Sequence, residues 1–460
     1  MVAHLRGATA ASVSEPQEVD ANGYRITLFR QGADAYAKSR HPLVYGRYHE
    51  IETPEAILHF NLRGQIFRAR GKPPAWPHAE EWLKRTEGND WVYYAGGGFS
   101  GRFEAVGQGE LDRPIQFRVP TPYNEIHKTL GEYYLPHLPY PSNNILNRDA
   151  LSHPDVRRLI QAWPEMVADA ARAFPDPPGD VAWFLQLAQF HTPDRLQESA
   201  ERVFRITHGR IRVIPPDARH VDYDIVPLTV AEGCLYKCRF CRVKNRRPFR
   251  PLSPWEIREQ IAALRTHFGP DLENRNALFL GDQDALHAGP DRILETAETA
   301  IAALGLRTSA LKGTHLFLFG SVDAFLAAED RFFDALNRSG VRTFINLGLE
   351  SADPDTLEQI GKPITARQVA DCFFRALALN DQLLNVEITC NFLMGGNLPP
   401  GNEPAFLRLV RDGVDRPRNK GTVYLSPLSD RPASLRTMFA FYQLQRMSRL
   451  PTFLYLLQRL

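Results

Sequence analysis

Cys234, Cys238 and Cys241 fall in the stretch Gly233-Cys234-Leu235-Tyr236-Lys237-Cys238-Arg239-Phe240-Cys241, which gathers three of the chain's five cysteines into eight residues. Three thiolates on one short loop can converge on a single soft centre, and thiolate ligation selects zinc, copper(I) or an iron–sulfur cluster over hard cations. A structural zinc site takes four protein ligands, and neither His208 and His220 upstream nor His267 downstream has zinc-finger spacing to the loop. An open fourth corner points to chemistry. The plainer alternatives are a zinc knuckle, or a disulfide pair plus a spare thiol.

The loop has to be positioned by what surrounds it. From about Asp224 the chain alternates β-rich runs with amphipathic helical ones. Strands are predicted at 225–230, 277–280, 315–319, 343–349, 386–394 and 422–425. Helices are predicted between them at 254–268, 292–303, 322–337, 365–379 and 403–412. Six strand–helix units in a row imply an α/β fold, a parallel sheet curled into a partial barrel, because parallel strands need right-handed helical crossovers. Chemistry in such folds sits at the C-terminal ends of the strands. The cysteine loop follows the first strand, at that end.

With Phe240 just before the third cysteine, this loop resembles the signature of the radical S-adenosylmethionine (SAM) superfamily. The resemblance implies a [4Fe-4S] cluster on Cys234, Cys238 and Cys241, with the fourth iron left for S-adenosyl-L-methionine, in a (β/α)6 TIM-like partial barrel. Four further points agree. Gly281-Asp282-Gln283-Asp284 occupies the place of the family's Gly-Gly-Glu motif for the SAM ammonium, with Asp282 for the second glycine and Gln283 for the glutamate; the contact stays open among Asp282, Gln283 and Asp284. Gly348-Leu349-Glu350-Ser351 resembles the segment that reaches the ribose hydroxyls, and a carboxylate suits two hydroxyl donors. Lys362 stands where related enzymes carry a cation for the SAM carboxylate. Asn391 matches a second ribose contact, and the Gly395-Gly396 turn lets the backbone approach adenine. Taken singly, each could be a turn residue, a solvated cation or a cap. The resemblance spans residues 210–430. Cys372 and Cys390 lie in apolar settings and read as core thiols, which leaves no cysteines for an auxiliary-cluster domain.

The other half is organised differently. Residues 1–20 are polar and without periodicity, so a disordered tail is expected, with structure beginning near Tyr24. Residues 21–150 read as an α+β region: hairpin-like strands at 56–62 and 65–70, a helical turn over Trp76–Lys84, and a strand at 91–94. The run at 96–101 matches Gly-x-Gly-x-x-Gly but opens no helix, so it reads as a plain turn. A Pro- and Tyr-rich strap at 119–147 follows, then a helical connector over 151–209. Residues 431–460 read as a C-terminal helical extension. The first 220 residues hold no Asp-x-His-x-x-Gly motif, so no cobalamin-binding domain is expected.

Composition bounds the rest. The 460 residues, 43% hydrophobic and 23% charged with a net charge of +2, describe a globular protein of two domains or a barrel with a large extension. No apolar run nears the ~20 residues needed to span a bilayer, so no membrane insertion is expected. Few cysteines and an oxygen-sensitive cluster suit the reducing cytoplasm. Seven cations among the fourteen residues from Lys237 to Arg250 form either a solvated face or a rim that attracts an anionic substrate or an acidic reductant. A reductant such as flavodoxin or ferredoxin is expected, and no nucleic-acid partner. The expected activity is reductive cleavage of SAM to a 5′-deoxyadenosyl radical that takes hydrogen from an unidentified substrate. His287, Asp323 and Tyr424 are candidates for recognising it, each equally open to a structural role. The rivals are a metal-stabilised binding module without turnover, and transfer of SAM's 3-amino-3-carboxypropyl group.

Overall fold

The computed structural model describes residues 15–37, 43–74, 81–95, 154–209, 213–222, 225–241, 248–281, 283–395, 397–428 and 435–455. Outside the described residues lie the glycine-rich turn at 96–101, the strap at 119–147, the part of the basic run at 242–247 with four of its seven cations, Asp282 and Gly396.

Seven antiparallel strands form the first sheet, a meander in chain order: β1 (Gln17–Ala21), β2 (Tyr24–Gln31), β3 (Arg47–Glu52), β4 (Ala56–Phe60), β5 (Ile66–Gly71), β6 (Glu81–Arg85) and β7 (Trp91–Ala95). Alternation decides which face is buried: Ile26, Leu28, Ile51, Leu58 and Phe60 point to one side and are fully buried. Two expectations change here. The tail expected to reach residue 20 ends earlier, because Asn22-Gly23, both at positive φ (52° and 84°), make a tight hairpin turn that pairs β1 with β2. The helical turn expected over Trp76–Lys84 gives way at its described end to β6, where period-two alternation buries Leu83 against the same core. Helices α1 (Pro154–Ala173), α2 (Gly179–Phe190) and α3 (Pro193–Ile206) bring Trp163, Val167, Phe184 and Leu196 into that core. The segment expected as a connector thus shares one core with the sheet.

The second sheet follows the radical SAM expectation and adds a strand. The chain runs β8 (Val226–Thr229), β9 (Ala231–Glu232), β10 (Arg250–Pro251), α4 (Pro254–Phe268), β11 (Ala277–Gly281), α5 (Pro290–Ala303) and β12 (His315–Gly320). It continues through α6 (Val322–Ala327), α7 (Asp330–Arg338), β13 (Arg342–Glu350), α8 (Pro354–Ile360), α9 (Ala366–Gln382), β14 (Val386–Met394), α10 (Asn402–Leu407), β15 (Val423–Pro427), α11 (Leu435–Met447) and β16 (Thr452–Leu454). Strands β8 and β11–β16 are all parallel neighbours in chain order, a partial barrel. Outward side chains such as Leu228, Leu280, Leu318 and Leu347 are buried against the helices. Inward, Phe279, Phe317 and Phe344 pack with a short turn at Pro216–His220, where His220 stacks on Phe344 (4.6 Å), and close the barrel's lower end. Among its described residues, the expected C-terminal extension is helical only in α11. Pro451 then bars further helix, and the β-branched and aromatic run Thr452-Phe453-Leu454 pairs with β15 as a seventh strand.

The two halves meet through buried charge. Arg275, 1% exposed, donates from Nη2 to Glu87 Oε1 (2.6 Å) and Asp271 Oδ2 (3.2 Å) while its guanidinium lies 4.0 Å from the Phe268 ring. Arg47 adds a pair to Glu273 (2.9 Å), and Asn274 accepts the Arg47 N–H (2.7 Å). Burial works to raise the Glu87 carboxyl, but Arg275, Arg63 and His267 hold it down at about 2. A depressed carboxyl contributes stability that is full above its unfolded value near ~4.3 and is lost as the pH falls towards the folded one. Arg275→Met should therefore destabilise the chain by about 3–5 kcal/mol in urea unfolding at neutral pH, since it removes the nearest cation from two buried carboxylates. Adding Glu87→Gln should restore part of the loss and flatten the decline between about pH 4.3 and 2.

Candidate functional site

The cysteine loop leaves the C-terminal end of β8 and is pinched at its base by the β9–β10 pair and by the Leu252 N–H to Val230 carbonyl bond (2.9 Å). Cys238 is buried, while Cys234 and Cys241 are half-buried, and Phe240 packs with both against the barrel core. Two residues that sequence reasoning passed over fix the loop. The Arg239 N–H donates to the Ile360 carbonyl (2.7 Å) and its Nη2 to the Glu358 carbonyl (2.5 Å), so the loop is stitched to the end of α8. Tyr236 donates from its hydroxyl to Asp323 Oδ2 (2.7 Å) and accepts the Asp323 N–H (3.3 Å) at the start of α6. Asp323 also accepts from Gln368 (3.3 Å), which gives this candidate recognition residue a structural role. His287 is exposed, with its ring against Phe249 (4.6 Å).

Around the loop, several residues singled out in the sequence come together at strand ends. Gly281 closes β11, and Asp284 follows it, 3% exposed. Asp284 Oδ1 accepts the Ser321 N–H (2.8 Å), whereas its Oδ2 is buried with no partner among the described residues. Burial pushes its carboxyl above the usual range. Gln283 is half-buried. Glu350 sits at a bulge at the end of β13 with φ +67°, and burial raises its carboxyl against the pull of Lys362. Lys362, 8% exposed, places Nζ 3.7 Å from Glu350 Oε1 and 5.1 Å from the centre of the Tyr236 ring. The carboxylate folds over Gly348, where a Cβ would come within 2.6 Å of Glu350 Oε1. Asn391 pairs with Asn346: Asn391 Nδ2 donates to Asn346 Oδ1 (2.6 Å), and Asn346 Nδ2 donates to Asn391 Oδ1 (3.1 Å). This leaves Asn391 one amide hydrogen and one lone pair. Gly395 turns the chain after β14 at φ +129°.

Ser351 is drawn elsewhere: its hydroxyl donates to Asn402 (2.6 Å), accepts the Asp353 N–H (3.0 Å) and is 1% exposed. Asn346 was readable as a polar residue two positions before Gly348, hence on the same inward face of β13. Tyr236 and Arg239 carried no comparable signal, because their partners lie 87 and 119–121 residues away.

Three free thiols on one loop fit the donor set of an iron–sulfur cluster. Three cysteines that each bind a different iron need no common point. Burial lifts the Cys234 thiol to about 11, so metal binding there displaces a proton.

Residues 228–397 match the family model of the Radical SAM superfamily. This stretch is a radical SAM domain, the domain of a superfamily of enzymes whose cofactors are a [4Fe-4S] cluster and S-adenosylmethionine. No curated protein matches it. Among solved structures it is similar to the radical SAM methyltransferase TsrM from Kitasatospora setae, bound to cobalamin and a [4Fe-4S] cluster: 13% identity over 45% of this chain and 39% of that one, TM-score 0.30. It is also similar to methylornithine synthase, PylB (14%, 55% and 75%, 0.30), and to SuiB from Streptococcus suis (12%, 66% and 63%, 0.32). The chain spans well under half the length of TsrM, and overlap this partial carries no argument about reaction or substrate.

One consequence is structural. Gly361 has φ +62°, and a Cβ there would lie 2.7 Å from Arg239 Nε. Gly361→Ala should destabilise the protein by about 1–2 kcal/mol from backbone strain and lower the iron bound per chain after anaerobic reconstitution, read by iron assay; unchanged iron content would separate the stitch from the metal centre.

Proposed function

We propose that this chain holds a [4Fe-4S] cluster on Cys234, Cys238 and Cys241, binds S-adenosylmethionine beside it, and abstracts hydrogen from an organic substrate. When bound, this pair supplies a 5′-deoxyadenosyl radical by one-electron cleavage of the sulfonium. The reading is carried by one observation: the loop, Asp284, the Glu350–Lys362 pair and Asn391 lie together at the C-terminal ends of neighbouring parallel strands, and Lys362 bridges the loop's Tyr236 to Glu350.

Each residue has a distinct task. Asp284 takes the SAM ammonium, since its Oδ2 is a buried acceptor awaiting a donor and burial is costly for a charge left unpaired. Gly281 and Gln283 flank it and bring the backbone close. Glu350 accepts from the ribose hydroxyls, with its orientation held by Gly348 and Lys362. Asn391, fixed by Asn346, offers its remaining hydrogen and lone pair to the same sugar. Lys362 moves from Glu350 towards the methionyl carboxylate, a small step for a flexible side chain. Gly395 lets the backbone approach adenine, and Phe240 shields the metal side from water. Ser351 serves the site indirectly, through Asn402 and Asp353. The reaction needs an electron, from a reductant such as flavodoxin or ferredoxin in the cytoplasm. No helix among the described residues is long and apolar enough to cross a membrane.

Anaerobic purification, iron and sulfide reconstitution and incubation with S-adenosylmethionine and dithionite should yield 5′-deoxyadenosine, detected by mass. Cys238→Ala should abolish it. Zinc at one per chain with intact S-adenosylmethionine would sink the proposal, and 3-amino-3-carboxypropyl products would redirect it. Lys362→Gln and Asp284→Asn should each weaken S-adenosylmethionine binding by about tenfold, the loss of one charge-assisted contact, in equilibrium binding to the reconstituted protein.

A further inference from the structure

The inward face of the barrel changes character with height. At its lower end Phe279, Phe317 and Phe344 are buried against the Pro216–His220 turn. Higher up, Phe319, Gly348, Ser426 and Phe453 are each partly exposed, although the outward residues beside them in the same strands are buried. With Tyr424 buried between them, these residues leave the barrel interior partly accessible above the aromatic floor, next to the positions assigned to the ribose. Arg219 rises into this interior from the floor turn. Its Nε donates to the Tyr424 hydroxyl (2.9 Å), and its guanidinium lies 4.3 Å from the Phe453 ring centre. Among the described residues it makes no other hydrogen bond and no ion pair.

Arg219 is thus held at one nitrogen and one face, with its two terminal nitrogens uncommitted. The hydroxyl that holds it is itself fixed: Tyr424, fully buried, donates to Asp217 Oδ1 (2.8 Å), and Thr389 donates to Asp217 Oδ2 (2.7 Å). Asp217, with both oxygens engaged, makes no hydrogen bond to Arg219 among the described residues and acts on it through charge alone. Burial, with Glu387 adding to it, pushes the Asp217 carboxyl up to about 7, so part of its negative charge is already absent at neutral pH. The result is a pre-set cation in the barrel interior. A guanidinium held in this way presents two parallel N–H donors, the geometry that matches a planar carboxylate.

We propose that Arg219 binds the carboxylate of the substrate and so determines which molecules the enzyme accepts. The inference rests on the radical SAM reading for what happens next to the bound molecule. Asn391 is in register with Tyr424 on the adjacent strand, and Tyr424 with Phe453 on the next. Two strand spacings are about 10 Å. A molecule anchored at Arg219 therefore spans a small carbon skeleton before it meets the ribose position, which is where a C–H bond would have to lie. Phe319 and Phe453 give that skeleton apolar walls. The nearby Glu387 carboxyl disfavours a dianion, so a single carboxylate fits better than a phosphate.

The test is equilibrium dialysis of the full-length, anaerobically reconstituted protein against labelled benzoate, benzamide and phenyl phosphate. Benzoate is expected to bind most tightly. Arg219→Gln should weaken it by about tenfold or more, to the level of benzamide, and Arg219→Lys, which keeps the charge but loses the fork, should fall between. Equal binding of benzoate and benzamide, no binding of either, or benzoate binding unmoved in both variants overturns the proposal. Tighter binding of phenyl phosphate overturns the carboxylate assignment, and displacement of benzoate by S-adenosylmethionine gives Arg219 to the cofactor instead. Benzoate binding that depends on Arg219 in a chain that takes up no iron keeps this site and sinks the cofactor reading. Cys238-dependent 5′-deoxyadenosine formation without that binding sinks the site alone.

Discussion

A parallel sheet must bury one face against its helices, and everything at this site depends on what that leaves the other face free to do. Outward, β8 and β11–β16 are apolar and packed. Inward, they are layered: rings from Phe279, Phe317 and Phe344 at the bottom, then Gly281 at the height of the Asn346 amide and the Thr389 hydroxyl, then Gly348 level with the Asn391 amide. The rings make a floor, the amides hold one another in a fixed orientation, and the glycines open space. Polar groups inside a barrel are tolerable only when their hydrogen bonds close, and here they close into a chain from Asn391 through Asn346 and Thr389 to Asp217.

The cysteine loop draws its order from outside itself. A loop of this length has few bonds of its own, so its shape is set by Arg239 at the end of α8 and by Tyr236 at the start of α6. Both anchors come from elements next to the proposed SAM contacts. Lys362, one residue beyond Gly361, touches the Tyr236 ring and approaches Glu350, so the loop and the Glu350–Lys362 pair are mechanically one body. The first half of the chain joins this body from below, through Arg47, Arg275 and the buried carboxylates at 87 and 271.

Much of this was legible in the sequence, and the reason is local. The cysteine spacing, the six β-rich runs and the glycines after them are patterns within a few residues, and all six strands formed where periodicity placed them. What failed also has physical causes. The Asn22-Gly23 turn overrides the polar composition of residues 17–21 and makes a strand there. Pro451 converts an expected helix into β16, and without that strand neither Phe453 nor the seat of Arg219 exists. The helices over 154–206 looked like a connector because their apolar stripe has no partner until the first sheet folds against it. Of Asp282, Gln283 and Asp284, the last is proposed for the ammonium because its buried Oδ2 meets no partner among the described residues, a distinction of burial that no spacing could supply.

The most direct test of the account is low-temperature electron paramagnetic resonance of the dithionite-reduced, reconstituted protein, recorded with and without S-adenosylmethionine. The account predicts the signal of a single reduced [4Fe-4S] cluster whose g-values shift when S-adenosylmethionine is added, because the fourth iron is open to it. A reduced protein with no iron–sulfur signal, or a signal that S-adenosylmethionine leaves unchanged, would contradict it.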